Sequence, residues 1–110
     1  MSDTETEIKK KLARDPDLFL VAEADTDLVG TVIGGFDGRR GLVYHLAVAP
    51  DFRRKGVATL LMHEVERRLR DKGCLRCYLL VRPENTDAKR YYGKSGWTLL
   101  DDLLFSKDLS

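Results

Sequence analysis

One stretch limits the fold more than any other. Between residues 42 and 81 the chain reads strand, helix, strand. Leu42-Val43-Tyr44-His45-Leu46-Ala47-Val48 is rich in β-branched, aromatic and apolar residues and reads as a buried strand. Ala49-Pro50-Asp51 breaks it. Val57, Leu60, Leu61, Val65 and Leu69 then recur at helical spacing, which predicts a helix over 57–72, and Gly73 suits the position just past its end. Residues 77–81 return to a strand pattern. A strand, long helix, strand unit predicts a parallel pair joined by a right-handed crossover.

The junction of the first strand with the helix is Arg53-Arg54-Lys55-Gly56-Val57-Ala58. The first backbone N–H groups of a helix have no acceptor within it, and the helix dipole adds partial positive charge there. Small side chains at Gly56 and Ala58 let an anion approach those groups, and three cations lead into the turn. Strand, basic small-residue turn and helix together form a phosphate-holding arrangement. The plainer reading is a solvated basic surface beside an ordinary helix start. The stretch is neither a Walker A loop nor a dinucleotide-binding glycine pattern.

Around this unit the chain reads as short elements. A mostly polar helix is expected over 4–13, with Ile8 and Leu12 as a thin apolar stripe, ended by Asp15-Pro16-Asp17. Strands are expected at 18–23 and 28–36, the second carrying Gly30, Gly34 and Gly35 as marks of bulges or close backbone approach. Short turns at 25–27 and 37–41 make these two and the strand at 42–48 an antiparallel meander. A short helix is expected over 87–94, capped by Asn85 or Thr86 and stopped by Gly96. Two short strands at 97–100 and 103–106 flank Asp101-Asp102. The expected fold is therefore α/β (α+β): a mixed, mostly antiparallel sheet flanked by helices, holding a parallel pair. With 110 residues the chain reads as one domain, 1–110.

Charge and composition exclude several classes. A net charge of +1 does not make the chain an electrostatic nucleic-acid binder. No apolar run is long enough to span a bilayer, and the polar first eleven residues do not read as a signal peptide, so a soluble, cytoplasmic protein is expected. Cys74 and Cys77 form a lone Cys-x-x-Cys. A zinc site needs two more ligands, and His45 and His63 are badly spaced to supply them, so no metal is expected. The pair follows a helix and precedes a strand, the reverse of a thioredoxin arrangement, which leaves core or surface thiols.

In sheets with parallel strands, ligands sit past the strands' C-terminal ends. Here those ends are Val48 and Val81. The basic turn lies just past the first, and Asn85 and Tyr92 just past the second. The pattern points to one cleft served by two segments.

These residues carry a resemblance. Arg53-x-x-Gly56-x-Ala58 resembles the Gln/Arg-x-x-Gly-x-Gly/Ala signature of the GNAT superfamily of acyl-CoA-dependent N-acetyltransferases. Asn85-x-x-Ala88-x-x-Tyr91-Tyr92-x-x-x-Gly96-Trp97 is similar to the family's second signature, in the right order. The likeness covers about residues 18–107, and Phe19-Leu20-Val21-Ala22-Glu23 with Gly34-Gly35-Phe36-Asp37-Gly38 resembles the YpeA-type branch. Less chain precedes Leu18 than the family's usual strand and helices, so the acceptor side is expected to be missing, reduced or supplied by another subunit.

The resemblance implies acetyl-CoA as cosubstrate and direct attack of a primary amine on its thioester, with the central parallel pair splayed to admit the cofactor. The backbone N–H groups of Arg54, Lys55, Gly56, Val57 and Ala58, with Arg53 through its backbone or side chain, would hold the pyrophosphate. The pantetheine arm would run along Leu46, Ala47 and Val48, with an N–H near Val48 for the thioester oxygen. Tyr92 is the implied general acid: a phenol, pKa about 10, can protonate a departing thiolate, about 8.5. Its plainer role is packing, which is also the expected role of Tyr91. Asn85 would bond the pantetheine or the loop, cap a helix, or do both. The usual Glu or His five residues before the Asn is here Leu80, and Leu42 and Val43 are apolar, so His45 and Glu84 stand as candidate bases, with a water chain or an acceptor arriving as the unprotonated amine as alternatives. A catalytically silent acyl-CoA-binding module is the competing function. The apolar residues Trp97, Leu99, Leu100, Leu103, Leu104 and Phe105 lead to an expected homodimer.

Overall fold

A computed structural model describes residues 15–25 and 27–110; the helix expected over 4–13 lies outside them. The first described element is a 3₁₀ turn at Pro16–Leu18, with proline at its start, where a missing N–H costs nothing. Three strands follow: β1 (Phe19–Ala24), β2 (Asp27–Phe36) and β3 (Gly41–Val48). Helix α1 (Val57–Asp71), strand β4 (Cys77–Leu79) and helix α2 (Thr86–Lys94) complete the order. The sheet runs β1-β2-β3-β4, with β1–β2 and β2–β3 antiparallel and β3–β4 parallel. This is the expected mixed, mostly antiparallel sheet with a parallel pair joined through a helix.

The described residues up to Leu80 form one compact unit and Val81–Ser110 a second. In the first, α1 lies on the sheet through Leu61, Met62, Val65 and Leu69, all buried and all on one helical stripe. The sheet answers with Leu20, Val32 and Val43, and the 3₁₀ turn adds Leu18. Three glycines let helix and sheet meet closely. A Cβ on Gly30 would stand 3.0 Å from both Leu61 Cδ1 and Val57 Cγ1, and one on Gly34 would stand 2.8 Å from Val65 Cγ2. At Gly41 it would meet Cys74 Sγ at 3.0 Å and Leu69 Cδ2 at 3.2 Å. Close approach, not only a bulge, is therefore what the β2 glycines serve.

The end of α1 is built by its own chemistry. Gly73 takes a left-handed φ of 93°. The Gly73 N–H donates to Arg70 O at 3.0 Å, and the Cys74 N–H to Leu69 O at 3.0 Å. This paired closure turns Cys74 inward, which explains its burial without any redox role. The Arg68 guanidinium donates to Asp17 O at 2.8 Å and Lys72 pairs with the Asp17 carboxylate at 2.9 Å, tying this end of the helix to the 3₁₀ turn.

Two expectations are corrected. The strand expected at 77–81 stops at Leu79, because β3 accompanies β4 only over Gly41–Cys77, Leu42–Tyr78 and Val43–Leu79. The strands expected at 97–100 and 103–106 do not form. A strand exists only where its backbone pairs with a neighbour, and these residues pair with no described strand. Consequently β4 ends the strand order, and the parallel pair occupies that edge of the four strands.

Candidate functional site

The candidate residues fall into two groups, one in each unit. In the first unit, β3 carries a bulge. Thr31 pairs with Ala47 but Ile33 pairs with Tyr44, so two β3 residues, His45 and Leu46, face the single residue Val32. His45 absorbs the extra length with a left-handed φ of 55°. Its ring meets that of Tyr44 edge to face at 5.3 Å, and its Nε2 is buried. Past Val43, β3 runs on through residues 44–48 while β4 no longer accompanies it. Leu46, Ala47 and Val48 lie in this unaccompanied part of β3. Leu80, five residues before Asn85, is exposed.

The chain then folds tightly. The Ala49 N–H donates to Val29 O at 2.8 Å, holding the end of β3 against β2. A 3₁₀ turn at Pro50–Phe52 follows, its Phe52 N–H on Ala49 O at 2.9 Å. The turn swings Arg53 back, so that its Nε donates to Val48 O at 3.1 Å. Arg54 and Gly56 both have left-handed φ, 63° and 86°. Alternation into the left-handed region turns successive N–H groups toward one side, the geometry of an anion nest. Gly56 is the N-cap of α1; its carbonyl accepts from the Leu60 N–H at 3.0 Å, and no side chain caps the helix. Open space surrounds the place where a Gly56 Cβ would stand. Val57 and Ala58 open the helix, half-buried, while Arg53, Arg54 and Lys55 are exposed. Lys55 rests over the Phe52 ring at 5.4 Å. The first unit thus brings together Leu46, Ala47, Val48, Arg53, Arg54, Lys55, Gly56, Val57 and Ala58 as one strand end, loop and helix start.

In the second unit, Asn85 caps α2, its Oδ1 accepting from the Ala88 N–H at 3.1 Å. Of the two capping readings, Asn85 is the one formed. Tyr92 lies two turns on, half-buried. Gly96 ends the helix with φ 92°, and the Trp97 N–H donates to Tyr92 O at 3.0 Å. This reversal sets the Trp97 ring edge to face with Tyr92 at 6.1 Å, while Tyr91 meets it at 5.2 Å on the other hand. Burial, and to a lesser degree Tyr91, pushes the Tyr92 phenol above the usual tyrosine range. The group therefore keeps its proton at neutral pH, as an acid must. Glu84 is paired with Arg82 at 3.1 Å.

Sequence reasoning did not find the His45 bulge, the left-handed Arg54, the Arg53 bond to Val48 or the Trp97–Tyr92 contact. Gly96 followed by an aromatic was the available signal for the last; the first three have none, since strand register and a hydrogen bond across a turn are not local patterns and arginine is not a typical residue of left-handed backbone. Burial pushes the Cys77 thiol up, away from a reactive thiolate. Among the described residues no group of three or more His, Cys, Asp and Glu is placed to hold a metal, and no helix is long and apolar enough to cross a membrane.

Known proteins carry the same pattern. The acetyltransferase (GNAT) family model matches residues 1–97. An acetyltransferase of Pectobacterium atrosepticum is 43% identical over 108 residues, covering 98% of this chain and 77% of the relative. One from Photorhabdus laumondii is 48% identical over 89 residues, covering 81% and 62%. Among solved structures, Ard1 from Thermoplasma volcanium superposes with TM-score 0.83 at 28% identity, over 91% of this chain and 68% of that one. The aminoglycoside acetyltransferase AAC(6')-Iy, in complex with the bisubstrate analogue CoA-S-monomethyl-acetylneamine, shares the fold, with TM-score 0.76 at 21% identity over 99% and 83%. With a family model spanning most of its length and a relative this similar, the chain belongs to the GNAT acetyltransferase family and is an acyltransferase.

Proposed function

We propose that the protein is an N-acetyltransferase that moves the acetyl group of acetyl-CoA to a primary amine by direct attack. The observation that carries this reading is the sequence of left-handed residues Arg54 and Gly56 leading into the uncapped start of α1, beside a β3 that runs on past its parallel partner. The backbone N–H groups of Arg54, Lys55, Gly56, Val57 and Ala58 would hold the pyrophosphate. Leu46, Ala47 and Val48 would align the pantetheine arm as an added strand partner. Acetyl-CoA supplies a thioester that an amine opens through a tetrahedral intermediate. Tyr92, holding its proton, would deliver it to the leaving thiolate, and the Asn85 side-chain amide would donate to pantetheine while its oxygen caps α2. Residues 1–110 act as a single domain in this reading; one family model running across both units, from 1 to 97, supports that. The exposed apolar side chains at Leu99, Leu103, Leu104 and Phe105 support a homodimer.

The reading is tested by turnover of acetyl-CoA over an amine panel comprising peptide N-termini, lysine side chains, polyamines and aminoglycosides, followed as CoA thiol release. Amine-dependent release is expected for at least one class. Tight CoA binding with no release on any amine would favour the silent acyl-CoA-binding module.

A further inference from the structure

We infer that Arg53 is a positioning residue, which acts on the cofactor not through its charge but by fastening the anion-holding loop to the end of β3. The inference rests on the cofactor reading above. Its ground is the Arg53 Nε–H donating to Val48 O at 3.1 Å across the turn. This bond closes a ring that also contains the Phe52 N–H on Ala49 O and the Arg53 N–H on Pro50 O at 3.4 Å. β2 anchors the same end of the strand through the Ala49 N–H on Val29 O. The last carbonyl of β3 and the first residue of the basic turn are thereby held at a fixed separation.

That separation matters because two parts of one ligand would meet there. The pantetheine arm would pair with β3, and the pyrophosphate would sit on the N–H groups after Arg54. A single ligand spanning both gains from each only if they are already correctly spaced; otherwise binding must first order the loop. The loop has reason to drift, since Arg54 is a non-glycine residue in a left-handed conformation, φ 63°. One tether at its first residue restricts that drift. Were Arg53 instead a direct anion ligand, its guanidinium would be needed at the phosphate. In the structure the Nε–H is directed onto the backbone of the preceding strand.

Side-chain geometry supplies a test. The Nε of arginine is the fourth side-chain atom beyond Cα, after Cβ, Cγ and Cδ. The amide nitrogen of glutamine occupies the same place and is also a planar N–H donor, but carries no charge. Lysine keeps the charge and moves its nitrogen one atom further out. Arg53→Gln therefore preserves the tether and deletes the charge. Arg53→Ala deletes both.

CoA affinity is measured by titration calorimetry for the wild-type chain, Arg53→Gln and Arg53→Ala, at two salt concentrations, with melting temperatures and amide hydrogen exchange of residues 49–56 recorded without ligand. The wild type must bind CoA; if it does not, the cofactor reading itself fails, independently of Arg53. Given binding, Arg53→Gln is expected to stay within about threefold of the wild type with the same salt dependence. Arg53→Ala is expected to weaken CoA by about tenfold, the factor that one hydrogen bond of ordinary net worth carries. Loop amides should exchange faster in Arg53→Ala than in Arg53→Gln. A merely structural arginine would lower the melting temperature of both variants without separating their loop exchange. Loss of affinity and a shallower salt dependence in Arg53→Gln would assign the residue to direct charge contact and overturn the inference. Unchanged affinity in Arg53→Ala would overturn it as well. If Arg53→Ala does not fold, the Arg53→Gln affinity and salt dependence still decide.

Discussion

Tyr92 illustrates how much of a residue's chemistry its neighbours set. Helix α2 places it two turns past Asn85, the left-handed Gly96 returns Trp97 onto its ring, and Tyr91 flanks it. Burial raises its pKa, and the sign of that shift fixes a pH dependence. Below about 10, the ordinary phenol value, folded and unfolded chains both hold the proton and the shift has no effect on stability. Above it the unfolded chain loses the proton first, so stability falls as pH rises toward the folded pKa. The proposed acid thus stays protonated through the neutral range, and kcat should lose its Tyr92-dependent part only above about pH 10. Tyr92→Phe keeps the ring and removes the proton. We expect kcat to fall by about 10²–10⁴ with CoA affinity retained, the size and signature of a lost general acid. Wild-type turnover in Tyr92→Phe would make the phenol a packing group. A joint loss of fold and CoA binding would say the same.

At the scale of elements, α1 and the sheet are matched surfaces. The four buried residues of α1 rest over a sheet in which a Cβ on Gly30 or Gly34 would stand 3.0 Å or 2.8 Å from a side chain of the helix. Gly34→Ala would put a methyl 2.8 Å from Val65 Cγ2, and Val65 is fully buried. Such overpacking costs about 1–3 kcal/mol. The melting temperature should drop by about 4–8 °C for each kcal/mol, and a melt unchanged from wild type would contradict the packing described. These contacts also show what was legible in advance. The apolar periods of β3 and α1, with Pro50 and Gly73 as punctuation, read directly from the chain. So did the basic turn at the start of the helix, since its small residues and its place there are local properties. By contrast, strands at 97–100 and 103–106 were expected from their apolar content, yet a strand is a pairing, and no local pattern states which neighbour will be there. The His45 bulge escaped for a related reason: register is a property of two strands, not of one.

For the molecule as a whole, the proposed homodimer is tested on the exposed apolar side chains of the described residues. Leu99, Leu103, Phe105 and Leu109 are each at least 87% exposed. Exposed apolar side chains so near one another in the chain support the proposed homodimer. Sedimentation equilibrium should therefore return twice the chain mass at micromolar concentration, and a pure monomer there would count against the homodimer. The proposed hold of the turn from Arg53 to Ala58 on the pyrophosphate of acetyl-CoA has a direct measurement. A ligand that binds only the folded chain stabilises it by about 2.7 kcal/mol at a hundredfold excess over Kd. The account predicts that acetyl-CoA raises the melting temperature of the wild-type protein accordingly. A Cβ at Gly56 meets nothing within 4 Å, so Gly56→Glu adds a carboxylate there at the cost of a strained φ. In that variant, compared with its own melt without ligand, acetyl-CoA should produce no shift. A shift of wild-type size in Gly56→Glu would place the cofactor elsewhere and contradict the account.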